Sequence, residues 1–337
     1  MIKKSLRTGI IHIFNIILIL PLLSGCVFVS PVLYPRKSSL EETTVRKAEK
    51  WLTTDKILLL DISGIITDTD EGGLLTSGEN MIDEVKERLK KASKDPSIKA
   101  IVLRINSPGG GVTASDILYN EIKNFRTETE KPVIAHIMDL GASGGYYVAL
   151  GADKISAQPT AVTGSIGVIA MFPNLQRLTR LIGVEMRIVK SGDNKDIGSI
   201  WRDFSEEERE ILQGIIDDMY QRFLDVVKEN RPGIDPNRLK TFADGRIFTA
   251  NQAMEAGLID EVNRLDDALD SAIEAAEIED AEVIVYKRAY QYRNTIYANT
   301  TKQTPQADHS TRIGLMNIDA RGLQSSHSPR FMYLWMP

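Results

Sequence analysis

Two apolar runs that each stop at a cluster of glycines constrain this chain more than any other feature. Residues 100–105 are apolar, end at Asn106-Ser107-Pro108-Gly109-Gly110-Gly111, and are followed by a helical pattern over residues 112–125. Residues 132–138 lead into Leu140-Gly141-Ala142-Ser143-Gly144-Gly145, after which residues 146–150 read as the first turns of a helix. A continuous apolar run is the pattern of a strand buried on both faces, and such strands belong to sheets covered by helices. Residues 57–62 form a third run of this kind, and residues 78–92 show a helical face of Met81, Ile82, Val85 and Leu89. Shorter strands are expected at 154–157, 166–171, 184–189, 257–262 and 282–286. A long helix is expected from Ser205, where Ser205-Glu206-Glu207-Glu208 forms a capping-box pattern, to about Asn230. Asp235-Pro236 and Thr249-Ala250-Asn251-Gln252 open two shorter helices, and another covers residues 265–276. Repeated strand-helix units across residues 57–286 define an α/β domain.

The flanks differ from this body. Residues 1–9 are basic, residues 10–23 are almost wholly apolar, and Leu23-Ser24-Gly25-Cys26 follows. A charged start, a short apolar run and a small-residue exit describe a secretory signal over residues 1–25. The tetrapeptide resembles a bacterial lipobox, in which the thiol of Cys26 takes a diacylglyceryl group and becomes the first residue of the mature chain. An uncleaved anchor over residues 10–34 is the alternative. Both place the body outside the cytoplasm, at a membrane of the bacterial cell envelope. Residues 26–56 then read as a lipidated tether with a short helix, and residues 287–337 as a polar, disordered tail. Its end, Arg330-Phe331-Met332-Tyr333-Leu334-Trp335-Met336-Pro337, is unexpectedly apolar. Such a run resembles a signal-peptide core, and it can either occupy a substrate groove of its own or a neighbouring subunit or touch a membrane.

Composition removes several function classes. The chain is 42% hydrophobic and 26% charged, which is ordinary globular usage and excludes a collagen-like, disordered or many-pass membrane protein. Net charge is -5, and the basic residues Lys3, Lys4 and Arg7 stand in an acid-free leader, so the body is more acidic still. No excess of cations is available to displace counterions, so nucleic acid is a poor partner. A single cysteine excludes an internal disulfide and a multi-cysteine metal cluster. No metal or other cofactor is implied.

Gly141-Ala142-Ser143-Gly144-Gly145 fits the G-x-S-x-G pattern of a serine nucleophile on a tight strand-to-helix turn, flanked by residues too small to clash. A small-residue turn that merely packs closely fits the same five residues. A nucleophilic serine needs a base. His12 lies in the export signal, His136 sits inside the strand before Ser143, and His309 and His327 lie in the polar tail. A Ser-His-Asp arrangement is therefore strained by the inventory. The remaining activator is an unprotonated lysine. Free lysine titrates near ~10.4, so work near neutrality asks for roughly 4 kcal/mol in favour of the neutral amine. Lys154, Lys190 and Lys195 are the downstream candidates, and spacing does not choose among them.

A resemblance does choose. Asn106-Ser107-Pro108-Gly109-Gly110-Gly111-Val112, Ala142-Ser143-Gly144-Gly145-Tyr146-Tyr147, Ala152-Asp153-Lys154-Ile155 and Thr163-Gly164-Ser165-Ile166-Gly167-Val168 occur in that order. Lys190-Ser191-Gly192, Lys195-Asp196 and Ala243-Asp244-Gly245-Arg246 complete the set. The set resembles the signal peptide peptidase A (protease IV) family of serine-lysine peptidases on a ClpP/crotonase-like fold. That resemblance implies Ser143 as nucleophile, Lys195 as general base and Ser165 as the hydroxyl that orients the lysine. It implies Gly110 and Gly144 as oxyanion donors. One copy of the motif set resembles the short form, a ring-like homo-oligomer in which Ser and Lys of one site come from neighbouring subunits. The lipobox departs from the family's usual transmembrane tether, and the tail lies outside the family core.

The function this implies is a membrane-tethered serine endopeptidase that degrades released signal peptides through an acyl-enzyme. Two alternatives stand beside it. One is an envelope quality-control peptidase acting on membrane-protein fragments, and the other is a non-catalytic scaffold on the same fold. The expected partners are apolar peptide segments, the membrane through its lipid anchor, and copies of the chain.

Overall fold

The computed structural model describes residues 39–50, 52–69, 80–288, 295–298 and 331–336. The export signal, Cys26, His12, His309 and His327 lie outside the described residues.

Three long parallel strands carry the fold: β2 (Lys56–Ser63), β3 (Ile98–Ser107) and β5 (Val133–Ala142). The others are β1 (Glu41–Arg46), β4 (Gly109–Gly111), β6 (Lys154–Ala157), β7 (Val162–Gly164) and β8 (Ile169–Ala170). The chain continues through β9 (Ile247–Thr249), β10 (Glu261–Val262), β11 (Glu282–Lys287) and β12 (Phe331–Leu334). The main sheet runs β1-β11-β2-β3-β5-β6-β10, with β7 paired to β5 and to β9. A second sheet of three short strands runs β4-β12-β8.

Helices close both faces of the main sheet, which is why its central strands β2, β3 and β5 are largely apolar and buried. Side chains alternate along β2: Leu58, Leu60 and Ile62 enter one core, Ile57 and Leu59 the other. Over the first lie α1 (Met81–Ser93), α2 (Val112–Thr129), α3 (Gly144–Ala149) and α5 (Glu206–Asn230). α4 (Gln176–Leu181) is short and exposed. α6 (Pro236–Phe242) and α7 (Ala250–Glu255) also join the first core. Over the second lies α8 (Leu265–Ala275), whose Leu265, Ala268, Leu269 and Ala272 form a single stripe. The capping box at Ser205 forms as its spacing predicts, with Ser205 Oγ accepting from the Glu208 N–H at 3.1 Å.

Three local expectations fail. Residues 41–46 form a strand rather than a short helix, paired antiparallel to β11 with Glu42 opposite Tyr286. Its β-branched Thr43, Thr44 and Val45 suit an edge strand, and the sheet offered an open neighbour. Residues 184–189 alternate like a strand, yet Val184, Met186, Ile188 and Val189 are exposed and form no strand. The chain end is ordered at β12, whose Tyr333 is fully buried, against the expectation of a disordered tail.

The ends of β3 and β5 are neighbours, with Ser107 opposite Gly141 after an irregularity in the pairing. Both glycine turns therefore leave the carboxyl end of the sheet side by side, where open α/β sheets carry their sites.

Candidate active site

Ser143 stands between the last residue of β5 and the first of α3, with φ 52° and ψ -115°. That backbone is strained for a residue with a Cβ, and such strain concentrates at functional turns. Two bonds hold it: the Ser143 N–H donates to the Gly164 carbonyl at 2.7 Å, and the Tyr147 N–H closes the first helical turn on the Ser143 carbonyl at 2.9 Å. The serine is 1% exposed.

The glycine strand β4 lies against this turn. The Ile66 N–H donates to the Gly109 carbonyl and the Gly111 N–H to the Ile66 carbonyl, both at 2.9 Å. The N–H and C=O of Gly110 are thereby turned the other way, toward β12. Only glycine fits at 110, because a Cβ there would stand 2.0 Å from the Ile66 carbonyl oxygen. Gly144 is equally confined, with a Cβ meeting Ser115 Oγ at 2.5 Å and Gly109 Cα at 3.1 Å. The fold therefore brings together Ser143, Gly110 and Gly144.

Ser165 joins the same corner. It follows β7, whose Gly164 pairs with Ala142, and it takes a positive φ of 51° with its N–H on the Arg246 carbonyl at 2.7 Å. Lys195 does not join within the chain. It is exposed, in the 3-10 turn Asp193–Asp196, and among the described residues no hydrogen bond links it to Ser143 or Ser165. Its neighbour Asp196 is anchored: Arg202 Nη2 and Lys190 Nζ both reach Asp196 Oδ1 at 2.8 Å. Hydrogen bonds from Arg202 and then Lys190 hold that carboxyl far below the usual range. Arg202 also pairs with Glu208, so the turn bearing Lys195 is clamped to the start of α5. Lys154 and Lys190, the other lysine candidates, are paired to Glu261 and Asp196.

His136 lies on the sheet face covered by α8, since Ile134 and Met138 on the same strand enter that core. Its Nδ1 is 2.8 Å from Ser156 Oγ, and its buried Nε2 meets no hydrogen-bond partner among the described residues. Burial pushes the imidazole down to about 4, with Asp267 pulling weakly the other way. Its folded value lies below the ~6.5 of an unfolded chain, so acid protonates the unfolded state first. Stability from this residue is complete above about pH 6.5 and is lost as pH falls toward 4, by on the order of 3 kcal/mol. Urea unfolding at pH 7 and 4.5 measures this, and His136→Phe should flatten the difference. An equal loss of stability in His136→Phe would assign the acid sensitivity elsewhere.

The sequence did not reveal what packs against α3, the helix that follows the turn. α5 presents Phe223 beside Tyr147, with ring centroids 4.9 Å apart, and Tyr147 Oη donates to Asp116 Oδ1 at 2.6 Å. Arg222 Nη2 holds the same carboxylate oxygen at 3.0 Å. Phe223 reads in sequence as one more apolar position of an amphipathic helix, and no local signal says which element it meets. Among the described residues no group of three or more His, Cys, Asp or Glu is placed to hold a metal, and no helix is long and apolar enough to cross a membrane.

Comparison with known proteins identifies the family. A family model described as peptidase family S49 matches residues 126–279, and one described as Clp protease matches residues 75–162. The Enterococcus faecium protein named "Putative signal peptide peptidase SppA" is 37% identical over 246 residues, 73% of this chain and 71% of that protein. "Serine protease SPPA, chloroplastic" of Arabidopsis thaliana is 34% identical over 226 residues, 66% of this chain and 33% of its own length. "Protease 4" of Haemophilus influenzae is 31% identical over 226 residues, 67% of this chain and 36% of its own. The identity to the Enterococcus faecium protein spans most of both chains, and the S49 match includes the Ser143 turn: the chain belongs to the SppA group of peptidase family S49 and is a serine protease.

Proposed function

We propose that the protein is a membrane-tethered endopeptidase of the cell envelope that degrades released signal peptides, with Ser143 as nucleophile and Lys195 as base. The observation that carries this reading is the strained Ser143 turn set against the outward-facing amide of Gly110. Ser143 Oγ attacks the peptide carbonyl carbon as its proton passes to Lys195 Nζ. The oxyanion accepts from the N–H groups of Gly110 and Gly144, where fixed donors are worth most. Collapse releases the amine, which takes the lysine's proton, and water hydrolyses the acyl-serine by the reverse proton route. Ser165 orients the lysine amine.

Lys195 reaches Ser143 from a neighbouring subunit of a ring. Its exposure supports this, as do the exposed apolar side chains Leu181, Ile182 and Val189 on the segment that carries it, since such surface usually meets a partner. Cys26 carries the lipid that holds the ring at the membrane; an acyl pair with a third chain anchors stably where one chain does not. Intact mass of the mature protein tests the lipid, and an unmodified chain starting at Met1 contradicts it.

The reading is tested with the purified body and an apolar signal-peptide substrate. Lys195→Ala should lower kcat/KM by about 10³-fold or more, while His136→Ala keeps activity far above it. Activity should rise with pH, because the base acts only when unprotonated. Mixing inactive Ser143→Ala with inactive Lys195→Ala should restore activity in hybrid rings. A fully active monomer contradicts the shared site, and a His136→Ala protein as dead as Lys195→Ala contradicts the lysine.

A further inference from the structure

The segment that carries Lys195 leaves the body of the protein and returns to it with its neck closed. Phe172 and Phe204 meet edge to face with ring centroids 5.1 Å apart, and the Leu175 N–H donates to the Ile200 carbonyl at 2.6 Å. Asn174 Nδ2 donates to Asp203 Oδ1 at 2.5 Å across the same neck. No residue from 171 to 204 is buried, and residues 180–195 are exposed throughout. Such an excursion has no core to order it, so polar bonds must offset the entropy of holding one shape.

One guanidinium supplies most of them. Arg202 Nε donates to Asp196 Oδ2 at 2.9 Å, and its Nη2 to Asp196 Oδ1 at 2.8 Å. Its Nη1 donates to Glu208 Oε2 at 2.7 Å, and Nη2 also reaches Glu208 Oε1. A single planar fork thus holds two carboxylates by two prongs each, which a lysine ammonium cannot do. Glu208 is the fixed end: it is 2% exposed and belongs to the capping box that starts α5. Asp196 is the outer end, the residue after Lys195 and the last of the turn Asp193–Asp196. Exposed ion pairs usually contribute little, but a two-pronged pair rooted on a buried carboxylate is the exception.

The rest of the turn is tied in the same way. Lys190 Nζ donates to the Asp193 carbonyl at 2.6 Å and to Asp196 Oδ1 at 2.8 Å. The Lys195 N–H donates to the Gly192 carbonyl at 3.1 Å. Among the described residues Lys195 Nζ itself takes no hydrogen bond or ion pair. The backbone of Lys195 is therefore fixed while its amine is left free for a group outside this surface. Preorganisation of that kind matters to catalysis, where a misplacement of about 1 Å can cost 10²-fold.

We infer that Arg202 is a positioning residue for the reaction: it braces the Lys195 turn on the buried Glu208, so that the amine arrives at the serine already oriented. The inference rests on the proposed function in taking Lys195 as the base.

The test uses the full chain and an apolar peptide substrate. Arg202→Ala should lower kcat by about 30- to 100-fold, with KM within about twofold and oligomer size by light scattering unchanged. In a Lys195→Ala background the same change should cost less than about twofold, because a brace has no effect once its lysine is gone. Arg202→Lys keeps the charge without the fork and should recover no more than about threefold. Asp196→Asn leaves Glu208 and the cap in place; it should lower kcat about tenfold, and it serves if Arg202→Ala does not assemble. Hydrogen exchange reads the turn itself, through the Lys195, Ile197 and Ser199 amides bonded to the Gly192, Asn194 and Asp196 carbonyls. These should exchange about tenfold faster in Arg202→Ala while the middle of α5 is unchanged. Equal exchange overturns the inference, as does full kcat in either Arg202 variant or an equal loss in both backgrounds. A fully active Lys195→Ala protein would instead contradict the proposed function, and exchange would still decide whether the fork orders the turn.

Discussion

Ser143→Ala is expected to reduce kcat/KM for an apolar peptide by about 10⁴-fold or more, with the melting temperature nearly unchanged. The side chain is buried at a turn fixed by backbone bonds, to the Gly164 carbonyl and from the Tyr147 N–H, and alanine keeps all of them. Ser143→Gly separates strain from chemistry. Glycine accepts φ 52° and ψ -115° more readily, so that protein should be equally inactive and more stable by about 1 kcal/mol. Calorimetry beside a peptide assay reads both. An active Ser143→Ala protein would remove the serine from the reaction, whatever its stability.

Gly110→Ala carries the second large effect, and its cause is steric. The new methyl would meet the Ile66 carbonyl oxygen at 2.0 Å and the Ile66 nitrogen at 2.6 Å. Both are backbone atoms, so the bridge between Ile66 and Gly110 must open. Overpacking of this kind destabilises by about 1–3 kcal/mol. The displaced amide is also a proposed oxyanion donor, and losing one such donor lowers kcat by about 10²- to 10³-fold. Gly214→Ala is the control: it lies on the exposed face of α5 with nothing within 4 Å of the added carbon. That change should stabilise by about 0.5–1 kcal/mol and leave activity alone. A Gly110→Ala enzyme with normal kcat would mean that its amide takes no part.

What the sequence disclosed follows the range of the interactions. β2, β3 and β5 are buried on both faces, so their apolar runs are legible at a glance, and the box at Ser205 is a four-residue affair. The Gly109–Gly111 and Ser143 turns announce themselves by residue type, because few residues other than glycine tolerate backbones packed so closely. β12 is different. Its partners, Gly109–Gly111, stand far away along the chain, and no local pattern tells a buried strand from a membrane-touching tail. β1 was missed for the same reason, since β11 lies far along the chain. Residues 184–189 erred in the opposite sense: alternation without a free sheet edge makes no strand, and leaves an apolar surface instead. Lys195 was legible only through family resemblance, because a lysine on an exposed turn has no local mark of a base.

The central claim, that Ser143 forms the acyl-enzyme, is tested most directly by trapping that species. An activated ester of an apolar peptide is mixed with the enzyme, quenched in acid within the first turnover, and the protein is digested and mapped by mass spectrometry. The account predicts one acyl group on the peptide that contains Ser143, and none on the Ser143→Ala protein. An acyl group on any other side chain, or rapid turnover with no adduct in a burst-phase time course, would contradict it.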